Sequence, residues 1–495
     1  MSTGSDAFPA AVYADTVLSV NFRDAQRHFL KALTEIHYAH TLMLARQKII
    51  PQATARLCIQ GLDKLDLAEI STAPYDGHSE DLFFFVEGEL ERLCGKAIAG
   101  SMHTARSRND IDITQYRMCL RAEILAIVAH LRAAREVLIG MARRHTETLM
   151  PAYTHTQPAQ PITLGHYLLA VIELMERDER RLRAAFATVN RCPLGACAIS
   201  TTGFPIDREY TANLLGFEGL QLNSYGAIAA TDYLTETAGA ISTAMLNLGR
   251  VAQDFLLWCT AEFGYLRLRD AWVQISSIMP QKRNPVPFEH VRVLASKAFA
   301  QAQGVFTCLH NTPFGDINDA EDDLQPLVFA ATADATRAIR LFAGVMDGCE
   351  VMAARMTERA AADFLTVTEL ADTLVRSEGV SFREAHHLVS ASVKELNGRY
   401  SELVFVESVE ALAPSYLGRA LRISRDELLE ALDPRHFVNI RRIPGGPAPE
   451  ALQTALEQAD ANLKKSRTWL EAKSAAQAAY PEAIASACRS LIASA

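Results

Sequence analysis

The 495-residue chain has no CxxC pair among its nine cysteines, no run of Lys or Arg longer than two, and no long apolar stretch. Each absence excludes a class of protein. An odd, scattered cysteine set argues against a disulfide framework and for a reducing compartment. With 49 basic against 58 acidic residues, a net charge of −9 and no basic stripe, nucleic acid is not an expected partner. A membrane-spanning helix needs roughly 18–20 apolar residues in a row, so no membrane association is expected. The first residues, MSTGSDAFPAAVYAD, lack the basic-then-apolar order of a secretion signal. A Gly-rich phosphate loop, a metal-ligand spacing and a tandem repeat are also missing, so neither a metal nor a cofactor is expected. What is left is a cytoplasmic protein that works on small molecules.

Helical periodicity dominates the middle of the chain. Leu120, Ile124, Ile127, Leu131, Ala134, Leu138 and Met141 alternate steps of four and three. Leu164, Leu168, Val171, Met175 and Leu182 follow the same rule with Asp178 interrupting, and Ile241, Met245, Leu248, Ala252 and Phe255 repeat it. Such seams let helices pack along their length. Alternating β-type runs are scarce. The pattern predicts a long-helix bundle over about 105–350. Shorter helical patterns occur before it, at 25–47 and 80–93. After it, short helices are punctuated by Gly379, Gly418 and the loop-like IPGGPAP at 443–449. The expected division is 1–103, 104–350 and 351–495.

Four polar segments break the helices, and loops on a rigid scaffold are where chemistry tends to sit. They are MHTARSRNDID (102–112), YTHTQPAQPITLGH (153–166), QISSIMPQKRNPVPFEH (274–290) and TPFGDINDAEDDLQPL (312–327). The third places Ser276, Ser277, Lys282 and Asn284 before a helix that Pro285 is suited to open. An ammonium and backbone N–H groups there suit a carboxylate. The first offers Ser107, Arg108 and Asn109. Arg108 suits a bidentate carboxylate contact, although an isolated SRN reads more simply as a helix cap. The second carries Thr154 and His155, and a histidine changes charge near neutral pH. Glu289 is a candidate to orient that imidazole.

Taken together, these residues resemble the fumarase/aspartase superfamily, and most of all the argininosuccinate lyases. The superfamily loop GSSxMPxKxNP appears as ISSIMPQKRNP at 275–285. TARSRND stands at 104–110 and YTHTQPAQPITLGH at 153–166. PLGACAISTTGFPIDRE runs over 193–209, and ELADTLVRSEGVSFREAHH over 369–387. The likeness covers nearly the whole chain. It implies an all-α, three-domain subunit with a central long-helix bundle, in a homotetramer whose sites combine loops from three subunits. It also implies reversible elimination of fumarate from an N-substituted aspartate. By position, Ser276 is the implied base for the β-proton. Lys282, Asn284 and loop amides are implied to stabilise the carbanion, the kind of electrostatic contribution that is often largest. Ser107, Arg108, Asn109, Thr154 and Ser277 are implied to hold the succinyl group. His155 with Glu289 forms the implied pair near the leaving nitrogen, whose proton comes from His155 or from a water.

The fourth segment departs from the family. Argininosuccinate lyases read like PLAYNxDxQEDKE there, and the Tyr, Gln and Lys contact the amino-acid end of arginine. Anchored on Glu321 and Asp322, the Gln position is Ala320 and the Lys position is Asp323, while the Tyr position falls at Gly315 or Asp316. Ile275 replaces the usual Gly before Ser276, and ATDY at 230–233 replaces DRDF. Asp24 matches the family's N-terminal aspartate, but Val20 stands where a serine is usual. The fumarate side is intact and the amine side is rewritten. That favours a non-arginine amine, as in ethylenediamine-disuccinate or iminodisuccinate lyases, and an acidic pocket at Asp316, Asp319 and Asp323 would suit a cationic one. A true argininosuccinate lyase with a diverged loop, a non-catalytic crystallin-like protein and a C–O lyase are the alternatives.

Overall fold

All three apolar seams are buried in helix. The computed structural model describes residues 8–493. The first seam runs along Arg108–Arg144, the second along Leu164–Val189 and the third along Asp232–Trp258. Helices Val286–Leu309 and Gln325–Asp347 complete the bundle. The 108–144 helix packs on 164–189 and on 325–347. The 232–258 helix packs on 164–189 and on 286–309, and 286–309 packs on 325–347. The five helices thus close a ring around one core. Ile124 and Leu138 are fully buried in it, and truncating such a residue to Ala costs about 2–5 kcal/mol.

Polar residues on the seams are paired. Asp178 accepts from Asn247 Nδ2 at 2.9 Å and from Arg181 at 2.8 Å. Arg135, buried in the bundle, meets Glu179 at 2.5 Å and Glu176 at 2.8 Å. Ser466 and Asn462 of the last helix, Pro449–Ala493, donate to the same two carboxylates. Breaking a buried ionic set by removing one member typically costs about 3–5 kcal/mol. The set therefore locks the end of the chain to the bundle.

Two smaller cores flank the ring. One gathers Phe22, Leu33, Ile36, Cys58 and Leu90 with Leu194, Leu215 and Phe217 from beyond the first seam. The other is formed by residues 370–432, around Leu374, Leu388, Phe405 and Leu428. The last helix bridges two cores: Leu452, Leu456 and Leu463 enter the central core, and Ile484 and Cys488 the N-terminal one. The Ala-rich tail is helical to Ala493.

Strands are few and short. Leu149–Thr154 and Gln157–Thr163 form an antiparallel hairpin. Leu266–Leu268 pairs with Cys349–Val351. Gln274–Ile275 pairs with Arg283–Asn284. Among the described residues no helix is long and apolar enough to cross a membrane.

Candidate active site

The TARSRND segment enters the longest bundle helix through a capping box. Ser107 is the N-cap, and its backbone N–H donates to Asp110 Oδ1 at 2.9 Å. The simple cap reading of SRN therefore holds alongside any chemical one. Ser107 Oγ donates to Asn109 Oδ1 at 2.9 Å, and Asn109 Nδ2 donates to Asp316 Oδ2 at 2.6 Å. The first and fourth polar segments, some 200 residues apart, meet there. Arg108 is engaged differently from a free carboxylate clamp. Its guanidinium is already paired with Asp81 at 2.6 Å and Glu80 at 3.2 Å, and it lies over the Phe84 ring.

Around this junction lies a cavity of ≈ 180 Å³. Glu80 and Asp81 line it from one side, Asp112 from the bundle helix, and Asp316, Glu321, Asp322 and Asp323 from the fourth segment, with Arg108 the one guanidinium among them. All three expected acidic residues are exposed; Asp316 and Asp323 line the cavity and Asp319 does not. Asp24 is half-buried, and Asn21, three residues earlier on the Ser19–His28 helix, takes the lining position.

So many carboxylates cannot all ionise together in a confined space. Burial, then a hydrogen bond and charge from Asp316 and the charge of Asp322, push Glu321 up to about 8. Asp112 is driven well above the ordinary carboxylate range, first by burial and then by Asp322, Asp81 and Glu321. Asp322 is raised by burial, although the Tyr116 hydroxyl donates to it at 2.7 Å.

The other two segments face outward. The hairpin turns at His155 and Thr156, both with positive φ, 51° and 63°. Two such residues make the type I′ geometry that matches strand twist, but Gly or Asn usually supplies it. A β-branched residue there is a true outlier, and such strain gathers at functional sites. Thr154 and His155 are exposed at the tip.

The serine loop stands on a two-rung stem, Gln274 opposite Asn284 and Ile275 opposite Arg283. Asn284 Nδ2 donates to Gln274 O at 2.8 Å, so its amide closes the stem. Arg283 reaches Asp270 at 2.6 Å and Leu268 O at 2.7 Å. Pro285 is the N-cap of the following helix, one residue earlier than the first helical position expected of it. Ser276 Oγ accepts the backbone N–H of Met279 at 3.0 Å and that of Ile278 at 3.4 Å. Hydrogen bonds to a charged form favour it, so these donors ease loss of the hydroxyl proton. Ser277, Lys282 and Glu289 are exposed, and Ile275 and Ile278 are each 85% exposed on the same loop.

Within one subunit, then, Ser107, Arg108, Asn109 and Asp316 come together. No hydrogen bond or ion pair among the described residues joins His155 to Glu289, or either to Ser276 or Lys282. Glu80, Asp81 and Asp112 were not foreseen. Their only advance signal was charge, which surface residues share.

Comparison with known proteins shows the family. A family model described as lyase matches residues 22–300, and one described as argininosuccinate lyase C-terminal matches 364–439. The chain is 43% identical over 90% of its length to argininosuccinate lyase 2 of Agrobacterium fabrum, and covers 90% of that protein. It is 37% identical to the argininosuccinate lyase of Methanoculleus marisnigri over 94% of each chain. Among solved structures, EDDS lyase in complex with formate superposes with a TM-score of 0.87 at 32% identity, covering 98% of both chains. An EDDS lyase variant with bound fumarate matches with the same TM-score and identity over 97% of each. The chain belongs to the argininosuccinate lyase family of the fumarase/aspartase superfamily, a family of fumarate-releasing carbon–nitrogen lyases.

Proposed function

We propose that the protein reversibly eliminates fumarate from an N-substituted aspartate whose leaving amine is cationic and lacks arginine's amino-acid end. The acidic cavity beside Asn109 carries this reading. A free α-carboxylate placed among Asp316, Asp322 and Asp323 would meet like charge, which disfavours it. An ammonium finds complementary carboxylates instead.

Ser276 takes the β-proton, aided by the loop N–H groups at its oxygen. Lys282 and those N–H groups stabilise the doubly charged intermediate. Ser107, Asn109, Thr154, Ser277 and Asn284 hold the succinyl carboxylates, and Arg108 joins them by exchanging an acidic partner for substrate. His155, oriented by Glu289, handles the proton at the leaving nitrogen. Asp316 borders the amine, and Asn21 rather than Asp24 lines that wall from the Ser19–His28 helix. Since His155, Ser276 and Asn109 do not meet within a subunit, the site is completed by neighbours in a homotetramer, and a partner or substrate covers exposed Ile275 and Ile278.

One observation favours a second reading, cleavage of argininosuccinate itself: the 43% identity to a protein of that name. The two separate in one assay. Fumarate release is measured from argininosuccinate and from a panel of N-substituted aspartates including ethylenediamine-disuccinate and iminodisuccinate. The expected kcat/KM for argininosuccinate is at least ~100-fold below the best of the panel, about 2.7 kcal/mol in transition-state terms. Efficient formation of arginine would restore the second reading.

A further inference from the structure

The PLGAC and FPIDRE motifs have no part in the chemistry above, yet PLGAC is bonded to the segment that carries Ser107 and Asn109, and FPIDRE is bonded to PLGAC. We propose that Asp110 and Arg208 are positioning residues that clamp the 193–198 loop from two sides and thereby set Ser107 and Asn109 for the succinyl carboxylates. The role of those two residues rests on the function proposed above; the clamp itself rests on geometry.

Asp110 is fully buried and both its oxygens are used. Oδ1 accepts from Ser107 N, while Oδ2 accepts from Gly195 N at 2.7 Å and Cys197 N at 2.9 Å. One carboxylate thus binds the helix entry to the loop. Arg208 holds the loop by its carbonyls. Its Nε donates to Leu194 O at 3.0 Å and its Nη2 to Pro193 O at 3.2 Å. The same guanidinium reaches Gln221 O at 2.9 Å and Leu222 O at 3.2 Å. The fit is close. Gly195 has φ +88°, and a Cβ there would stand 2.6 Å from Arg208 Cγ.

The loop then acts on Asn109. Ala198 O accepts from Asn109 Nδ2 at 3.2 Å, while Asn109 Oδ1 accepts from Ser107 Oγ. An amide's orientation is decided by such partners. Ala198 and Ser107, with Asp316 as the second acceptor of Nδ2, choose which way Asn109 faces, and Asp110 is bonded to Ser107 N and to Cys197 N beside Ala198. Only a carboxylate offers acceptors on both sides; an amide at 110 would turn its NH2 toward another N–H donor.

The test is steady-state kinetics of the full-length enzyme in the addition direction, varying separately fumarate and the amine released from the best substrate of the panel. In Asp110→Asn the fumarate KM is expected to rise about tenfold and in Arg208→Lys about threefold, with the amine KM within about twofold of wild type. A purely structural role would lower the melting temperature and the active fraction but leave this split absent. Unchanged fumarate KM in both variants overturns the clamp, as does an equal rise in both constants. Should Asp110→Asn fail to fold, Arg208→Lys decides alone, since its side chain is only half-buried. If arginine proves the preferred amine, the acidic-pocket reading fails while this test stands, because fumarate is common to both reactions.

Discussion

Around Asn109 the chain folds a cavity from segments far apart in sequence, whereas Ser276 and His155 stand on exposed loops whose hydrogen bonds stay local. The cavity walls are held by bonds between elements: Asn109 to Asp316, Arg108 to Asp81, Tyr116 to Asp322. At the outward tips the bonds are short-range, above a two-rung stem that Arg283 anchors to Asp270 in one loop and at a strained turn in the other. A loop that supports its own shape can be presented to another subunit without losing its geometry. A cavity built by one chain can change its lining by substitutions within that chain. The proposed change of leaving amine, with the proposed proton-transfer residues kept, fits this division.

The outward side should fail most completely when broken. Ser276→Ala should lower kcat by about 10³-fold or more, since a positioned base with its supporting donors contributes about 10²–10⁴-fold. Circular dichroism and light scattering should show fold and assembly unchanged, because Ser276 contributes no packing beyond its own loop. Near-normal turnover would move the base assignment to Ser277.

His155→Asn comes next, with kcat down about 10²-fold and KM little changed, as expected for a group that moves a proton. Glu289→Gln should give a milder form, about tenfold, because an orienting partner acts through the imidazole. A pH profile of kcat for elimination that loses its alkaline limb in His155→Asn would tie the histidine to the proton step. An identical profile in wild type and variant would remove it from the mechanism.

The same contrast explains what was legible beforehand. The seams were readable because apolar residues at steps of four and three can serve only one helix face, and Ile124, Leu138 and Phe255 are indeed buried. The serine and histidine loops were readable because contiguous residues carry them. The acidic cavity was half readable. Asp316 and Asp323 stood out against the family pattern, but Asp81 and Asp112 come from other elements, and single charges do not announce the cavity they will face. The hairpin at 149–163 was hidden because Pro151, Pro158 and Pro161 look like strand breakers, and the turn lacks the Gly or Asn that normally supplies positive φ. The last helix shows a further limit. Its apolar spacing announces a helix, yet nothing in the spacing says that Leu456 belongs to the central core and Ile484 to another.

The smallest expected effect tests the inward side through its protons. Glu321 holds its proton up to about pH 8, because of burial and then Asp316 and Asp322, against an ordinary value of 4.5. An acid whose folded pKa is raised binds more protons folded than unfolded. Its contribution to stability is therefore whole below about pH 4.5 and is lost as pH rises through 8. Glu321→Gln removes that loss, so the melting temperature of the variant should gain on wild type as pH goes from 5 to 9. Binding runs the opposite way. A cationic amine among Asp112, Asp316, Asp322 and Asp323 favours the ionised form of Glu321, so affinity should rise with pH toward about 8 and binding should release a proton. Calorimetry of a permanently charged amine in two buffers of different ionisation enthalpy measures that proton directly. In Glu321→Gln the affinity should fall a few-fold at pH 8 and its pH dependence flatten. Wild-type binding without proton release, combined with an unchanged affinity in the variant, would show that the acidic wall does not face the amine.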